Sequence, residues 1–130
     1  MSFKTTSVIT AIVTFVLGAV YLFAGSLAVS RWQIEPTESI LLFGRRLGAL
    51  YVGLSVIFFL VRSATASDVR SALCIGTAVV CSLLAFLGIY EFCAGHAGPA
   101  ILVSAAIESF LAFCYIRIIL TERKNIAGKE

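Results

Sequence analysis

Four ionisable residues stand inside long apolar runs of this sequence: Arg45 and Arg46, Glu91, and Glu108. A charge held within a hydrocarbon span costs on the order of 3 kcal/mol or more, so it faces protein or water and pairs with an opposite charge where it can. Two chemistries fit this set. In one, Arg45 pairs with Glu91, and also with Glu108, to form an internal ion network that fixes helix register. In the other, the same residues line a polar pocket, with Glu108 as the deep acceptor and Tyr21 and Tyr115 as walls. A proton-linked path through Glu108 is a third use of the same carboxylate.

Other chemistry has little support. Cys93-Ala94-Gly95-His96 places a thiol and an imidazole near Glu91, but three ligands from one helix end make a poor zinc site. His96 is the single histidine, which excludes haem ligation by two imidazoles of one chain. No glycine-rich loop follows a strand to cradle phosphate, and no serine stands with His and a carboxylate in a triad motif. The four cysteines (Cys74, Cys81, Cys93, Cys114) form no CxxC pair and read as small buried hydrophobes. Cys74 and Cys81 would lie about 10 Å apart along one helix, too far for a disulfide. The expectation is a protein without enzymatic activity, metal or cofactor.

The elements that must position these residues follow from composition. Hydrophobic residues make up 60 % of the 130 and charged residues 13 %, with a mean hydropathy of +1.03. A soluble domain is nearer a quarter charged. The net charge of +3 is spread too thinly to bind nucleic acid. The apolar runs are 8–29, 40–61, 72–93 and 99–120. As helices each would be about 33 Å long, enough to cross a hydrocarbon core of about 30 Å. The first run resembles a signal peptide, with Lys4 before it and Ser26-Leu27-Ala28 near its end, but it is long for a signal core and reads as a retained helix. The tail 121–130 is polar and reads as short and mobile.

Short connections make successive helices antiparallel neighbours. One side would carry Lys4, Arg62, Arg70, Arg117, Arg123, Lys124 and Lys129; the other carries Arg31, with Arg45 and Arg46 embedded. The excess places both termini in the cytoplasm. The expected fold is therefore all-α: a single polytopic transmembrane domain over 1–130, an up-down antiparallel four-helix bundle, N-in and C-in, with 121–130 as a cytoplasmic tail. Trp32 then sits at the outer interface.

In this frame all four embedded charges fall in the outer half. Arg45 would lie about 8 Å below the outer end of its helix, Glu91 about 3 Å and Glu108 about 13 Å. Each of three spans also shows one face of small and polar residues: Thr10, Thr14, Gly18, Tyr21, Gly25 and Ala28 in the first; Cys74, Thr77, Cys81, Gly88 and Glu91 in the third; Ser104, Ala105, Glu108, Ala112 and Tyr115 in the fourth. Small residues let membrane helices approach closely. In the second span Gly44 and Gly48 bracket the two arginines. Adjacent residues point about 100° apart, so Arg45 is expected to face the bundle with Gly44, Gly48 and Ser55. Arg46 is expected to border a groove or second subunit, or to snorkel to the headgroups.

The size, the four spans and the segment Arg45-Arg46-Leu47-Gly48-Ala49-Leu50-Tyr51-Val52-Gly53-Leu54 resemble small bacterial inner-membrane proteins of the DoxX-like kind. The resemblance implies a compact four-helix protein of the bacterial inner membrane and little about chemistry. Two functions remain open. The leading expectation is a non-enzymatic accessory or scaffold protein that packs against a membrane partner or itself. The alternative is binding or transport of a small or lipid-like molecule at Tyr21, Arg45, Arg46, Glu91, Glu108 and Tyr115.

Overall fold

A computed structural model describes residues 2–127, with side chains as far as Glu122. It is helical throughout, with no strand among the described residues: α1 (Phe3–Phe23), α2 (Gly25–Arg31), α3 (Glu38–Val61), α4 (Asp68–Cys93) and α5 (Ile101–Ala127). Four of these are long and apolar enough to cross a membrane: α1, α3, α4 and the stretch Ile101–Glu122 of α5.

The helix starts are written locally. Ser2, Thr37 and Ser67 are extended N-cap residues, and each side-chain oxygen accepts a backbone N–H of the first turn, from Thr5, Ile40 and Arg70. Two boundaries differ from the sequence expectation. The first apolar run is not one helix, because Ala24 leaves helical geometry (φ −134°, ψ 32°) and the chain restarts as α2. The Gly25-Ser26 pair that follows is a usual cause of such a kink. The Ala24 N–H still donates to the Val20 carbonyl at 2.7 Å, so the break leaves that donor satisfied. At the other end, α5 continues through Ala127, so most of the expected tail is helix. The side chains of Arg123 and Lys124, and all of Lys129, lie outside the described residues.

The packing is inverted relative to a water-soluble bundle. Large apolar side chains such as Phe15, Phe43, Leu50, Leu83, Phe86 and Phe113 are exposed, whereas Thr6, Ser7, Thr10, Thr14 and Ser55 are buried. A lipid surround has this effect, since hydrocarbon welcomes the outward face and only small residues allow close helix contact. Apart from that of Ser7, which has no hydrogen-bond partner among the described residues, the buried hydroxyls find acceptors a turn back along the chain. Thr10 donates to the Thr6 carbonyl at 2.9 Å, Thr14 to Thr10 at 2.8 Å, and Ser55 to Val52 at 2.7 Å.

Two close helix pairs form, α1 with α3 and α4 with α5. In the first, Gly18 and Gly48 meet backbone to backbone. A Cβ on Gly18 would lie 2.8 Å from Val52 Cγ2 and 2.9 Å from the Gly48 carbonyl oxygen. A Cβ on Gly48 would lie 2.9 Å from the Gly18 carbonyl oxygen. Farther along, Tyr21 reaches Gly44 and Leu41 reaches Gly25, so the contacts run in opposite senses along the two helices. The Gly44/Gly48 spacing is thus used within the chain. In the second pair, Gly88 receives Ala105 and Cys81 packs with Leu111 and Ala112. The small-residue faces read from α1, α4 and α5 are the contact faces, apart from Ala28 beyond the break and Glu91 at the end of α4.

The pairs join mainly through α1 and α5. Tyr115 is fully buried there. Its hydroxyl shares a hydrogen bond of 2.9 Å with Thr10, and its ring lies 6.1 Å from that of Phe58. Around it Phe3, Ala11, Cys74, Ala78 and Ile118 complete the larger core cluster. At one end of the molecule Arg70 forms an ion pair with Glu122 and lies over the Phe3 ring. At the other end the α2–α3 and α4–α5 connections interlock. The Gly98 N–H donates to the Trp32 carbonyl at 2.6 Å, and the Gln33 side chain lies on Gly98 where a Cβ would be. Gln33 makes that turn with a backbone φ of 61°. This is the left-handed region, sparsely used by residues other than glycine.

Candidate functional site

The polar centre of the molecule is built around Glu108. It is half-buried and lies seven residues into α5. That puts it about 10 Å along the helix from Ile101. Within electrostatic reach of it lie the hydroxyls of Tyr21 and Tyr51 and the Cys81 thiol, so α1, α3, α4 and α5 each bring one group near this point. Among the described residues its carboxylate makes no ion pair and no side-chain hydrogen bond.

The two tyrosines form a wall. The Tyr21 and Tyr51 rings stack at 6.1 Å with 11° between their planes. The Trp32 ring meets Tyr21 edge-on at 6.4 Å. Both are favoured arrangements of aromatic quadrupoles. Tyr21 also lines a cleft of about 150 Å³ together with Gly25, Ser26, Leu41 and Arg45. This cleft sits at the Ala24 break, where α1 and α2 diverge against α3. Tyr21 is therefore shared between the cleft and the Glu108 centre.

The remaining expected site residues are placed differently. Arg45 is exposed and lines the cleft; it does not face the bundle, and it pairs with neither Glu91 nor Glu108. The reason is angular. Arg45 lies about 60° around α3 from Gly48, at the edge of the contact face, and Arg46 about 160° away, on the far side. Arg46 is accordingly exposed. Glu91 is taken by a nearer partner: its Oε2 lies 2.7 Å from His96 Nδ1, and the His96 N–H donates to the Glu91 carbonyl at 3.0 Å. The expected Arg45–Glu91 network is thus replaced by a local Glu91–His96 contact at the end of α4. Tyr115 belongs to the larger core cluster. It stands two helical turns beyond Glu108, about 10 Å along α5, and is no wall of the Glu108 centre.

Cys74, Cys81 and Cys114 are buried as expected, but Cys93 is exposed at the end of α4. Among the described residues no three His, Cys, Asp or Glu side chains gather as metal ligands. Sequence reasoning missed Tyr51. Its signal was present: Tyr51 falls three residues after Gly48 and seven after Gly44. That spacing keeps it on the same helical face.

No protein-family model, curated protein or solved structure matches the chain.

Proposed function

We propose that the chain is a multi-pass protein of the bacterial inner membrane, an antiparallel up-down bundle with both termini in the cytoplasm, that binds a small or lipid-like molecule at the Glu108 centre without catalysing a reaction. The carrying observation is that Glu108 is half-buried within electrostatic reach of two stacked tyrosines and a cysteine on the other three long helices, with no ionic partner of its own among the described residues. An intramembrane carboxylate in that state is expensive to keep and calls for a partner. The adjoining cleft at Tyr21 and Arg45 gives a molecule a way to approach from the α2 end. The DoxX-like resemblance of Arg45–Leu54 accords with the architecture.

Glu108→Gln tests the site. It keeps the shape and removes the ionisable carboxyl, and no ion pair is broken. Native mass spectrometry of protein released from membranes in mild detergent is expected to show a retained small molecule on the natural chain and none on the variant, at equal thermal stability. Equal retention by both would sink the reading. The topology has its own check: a reporter fused after Lys129 is expected to be active only on the cytoplasmic side. Activity on the opposite side would reverse the assignment.

One observation favours the second reading, an accessory or scaffold subunit. Arg46 stands on the α3 face opposite Gly48, in line with exposed Leu50, Gly53, Ile57 and Leu60. A guanidinium facing hydrocarbon is costly, and a second protein chain against that face would cover it. Co-purification in mild detergent examines this, and a strictly monomeric particle with no companion chain speaks against it.

A further inference from the structure

A second polar region lies at the opposite end of the helices from the cleft at Tyr21. It is a cleft of about 440 Å³ between the start of α1 and the α3–α4 connection, lined by Ser2, Phe3, Lys4, Arg62, Ser63, Ala64 and Arg70. Three cations border one space there. Arg70 is held in place from three sides: Glu122 takes Nη2, the Ala64 carbonyl accepts from Nη1 at 2.8 Å, and the Phe3 ring lies 4.5 Å from its Cζ. Arg62 is half-buried, lies 3.9 Å over the Phe59 ring and donates from Nη1 to the Phe59 carbonyl. Among the described residues neither Arg62 nor Lys4 has a carboxylate within ion-pairing distance. Glu122 is committed to Arg70, so among the described residues Lys4 and Arg62 are the cations of the cleft left without an ion pair. Ser2 and Ser63 line the same space. The unpaired N–H groups in the first turn of α1 add further neutral donors.

We infer that this cleft binds the phosphate group of an anionic phospholipid. Phosphate suits it because the Arg62 guanidinium, the Lys4 ammonium and a helix start all favour a multiply accepting anion. The lipid source is favoured by position. The cleft sits where α1 begins and α3 ends, which is the headgroup level of a spanning helix, and basic pockets there recruit acidic headgroups. Beside it Leu60 and Val69 are strongly exposed and offer an apolar track for an acyl chain. The site is independent of Glu108.

The test uses the full chain in nanodiscs of mixed phosphatidylglycerol and phosphatidylcholine, with native mass spectrometry of the lipids retained on release. The natural chain is expected to enrich phosphatidylglycerol, and each basic residue removed to weaken that enrichment about fivefold. Lys4→Gln with Arg62→Gln should therefore erase most of it. Arg62→Lys alone should keep most of it, and Arg46→Gln at the other end should change nothing. Arg70 is left intact because it anchors Glu122. Inorganic phosphate is titrated in a second arm. Competition at millimolar phosphate would assign the cleft to free phosphate and overturn the lipid source; no competition supports it. Equal retention of both lipids by the natural chain, or unchanged enrichment in the folded double variant, would overturn the site.

Discussion

Gly18→Leu is expected to unlock α1 from α3 and to lower stability by about 3 kcal/mol. The new side chain must grow from a Cβ already 2.9 Å from the Gly48 carbonyl oxygen and 2.8 Å from Val52 Cγ2. The carbonyl is backbone and cannot swing aside, so the helices must separate along their length. Gly48→Leu meets the Gly18 carbonyl in the same way. Gly53→Leu is the control, because nothing lies within 4 Å of a Cβ there. At that site leucine should help slightly, since glycine in a helix interior costs about 1 kcal/mol. Unfolding in mixed micelles by titration with sodium dodecyl sulfate reads all three. A Gly18→Leu protein as resistant as the natural chain would show that this contact does not hold the pair together.

Tyr115→Ala is expected to cost about 3 to 5 kcal/mol in the same measurement. Tyr115 is fully buried where α1, α3 and α5 meet, with its ring near Phe58 of α3 and its hydroxyl on Thr10 of α1. Its removal leaves a cavity at the centre of the core cluster that joins the two helix pairs. Tyr115→Phe separates packing from hydrogen bonding. It loses only the 2.9 Å bond to Thr10, and Thr10 retains its own bond to the Thr6 carbonyl. Interhelical hydrogen bonds in membranes average about 0.6 kcal/mol, so the phenylalanine variant should sit near the natural chain. A phenylalanine variant as weak as the alanine one would assign the junction to the hydroxyl instead.

Much of this is legible in the sequence because it depends on neighbours a few residues away. The helical faces of α1, α4 and α5 follow from the helical period. Thr10, Thr14, Cys74, Cys81, Ala105 and Tyr115 are all buried where that period puts them. The break at Ala24 is harder to read. The Gly25-Ser26 pair is visible, but the apolar run 8–29 looks continuous on hydropathy alone.

The charged residues divide along the same line. In the sequence Arg70 is a loop charge and Glu122 a tail charge, yet α5 extends far enough to bring them together. Matching depth pairs Glu91 with Arg45, but His96 stands five residues away and reaches it first. Depth follows from residue number and helical rise. Partnership needs the rotation of each helix as well, and a turn of about 60° around α3 is enough to take Arg45 off the contact face. It lines the cleft instead.

The sequence by itself therefore determined the class: four apolar helices, their polar faces and the scarcity of charge that makes each embedded ion notable. Those are properties of composition and local period. Only the tertiary structure decided which charge meets which, that Glu108 stands without an ionic partner among the described residues while Arg45 turns away, and that Lys4, Arg62 and Arg70 border one cleft. Such facts depend on the angles and offsets at which helices distant in sequence pack. Those are set by small-residue contacts such as Gly18 on Gly48, which no residue pattern within one helix specifies.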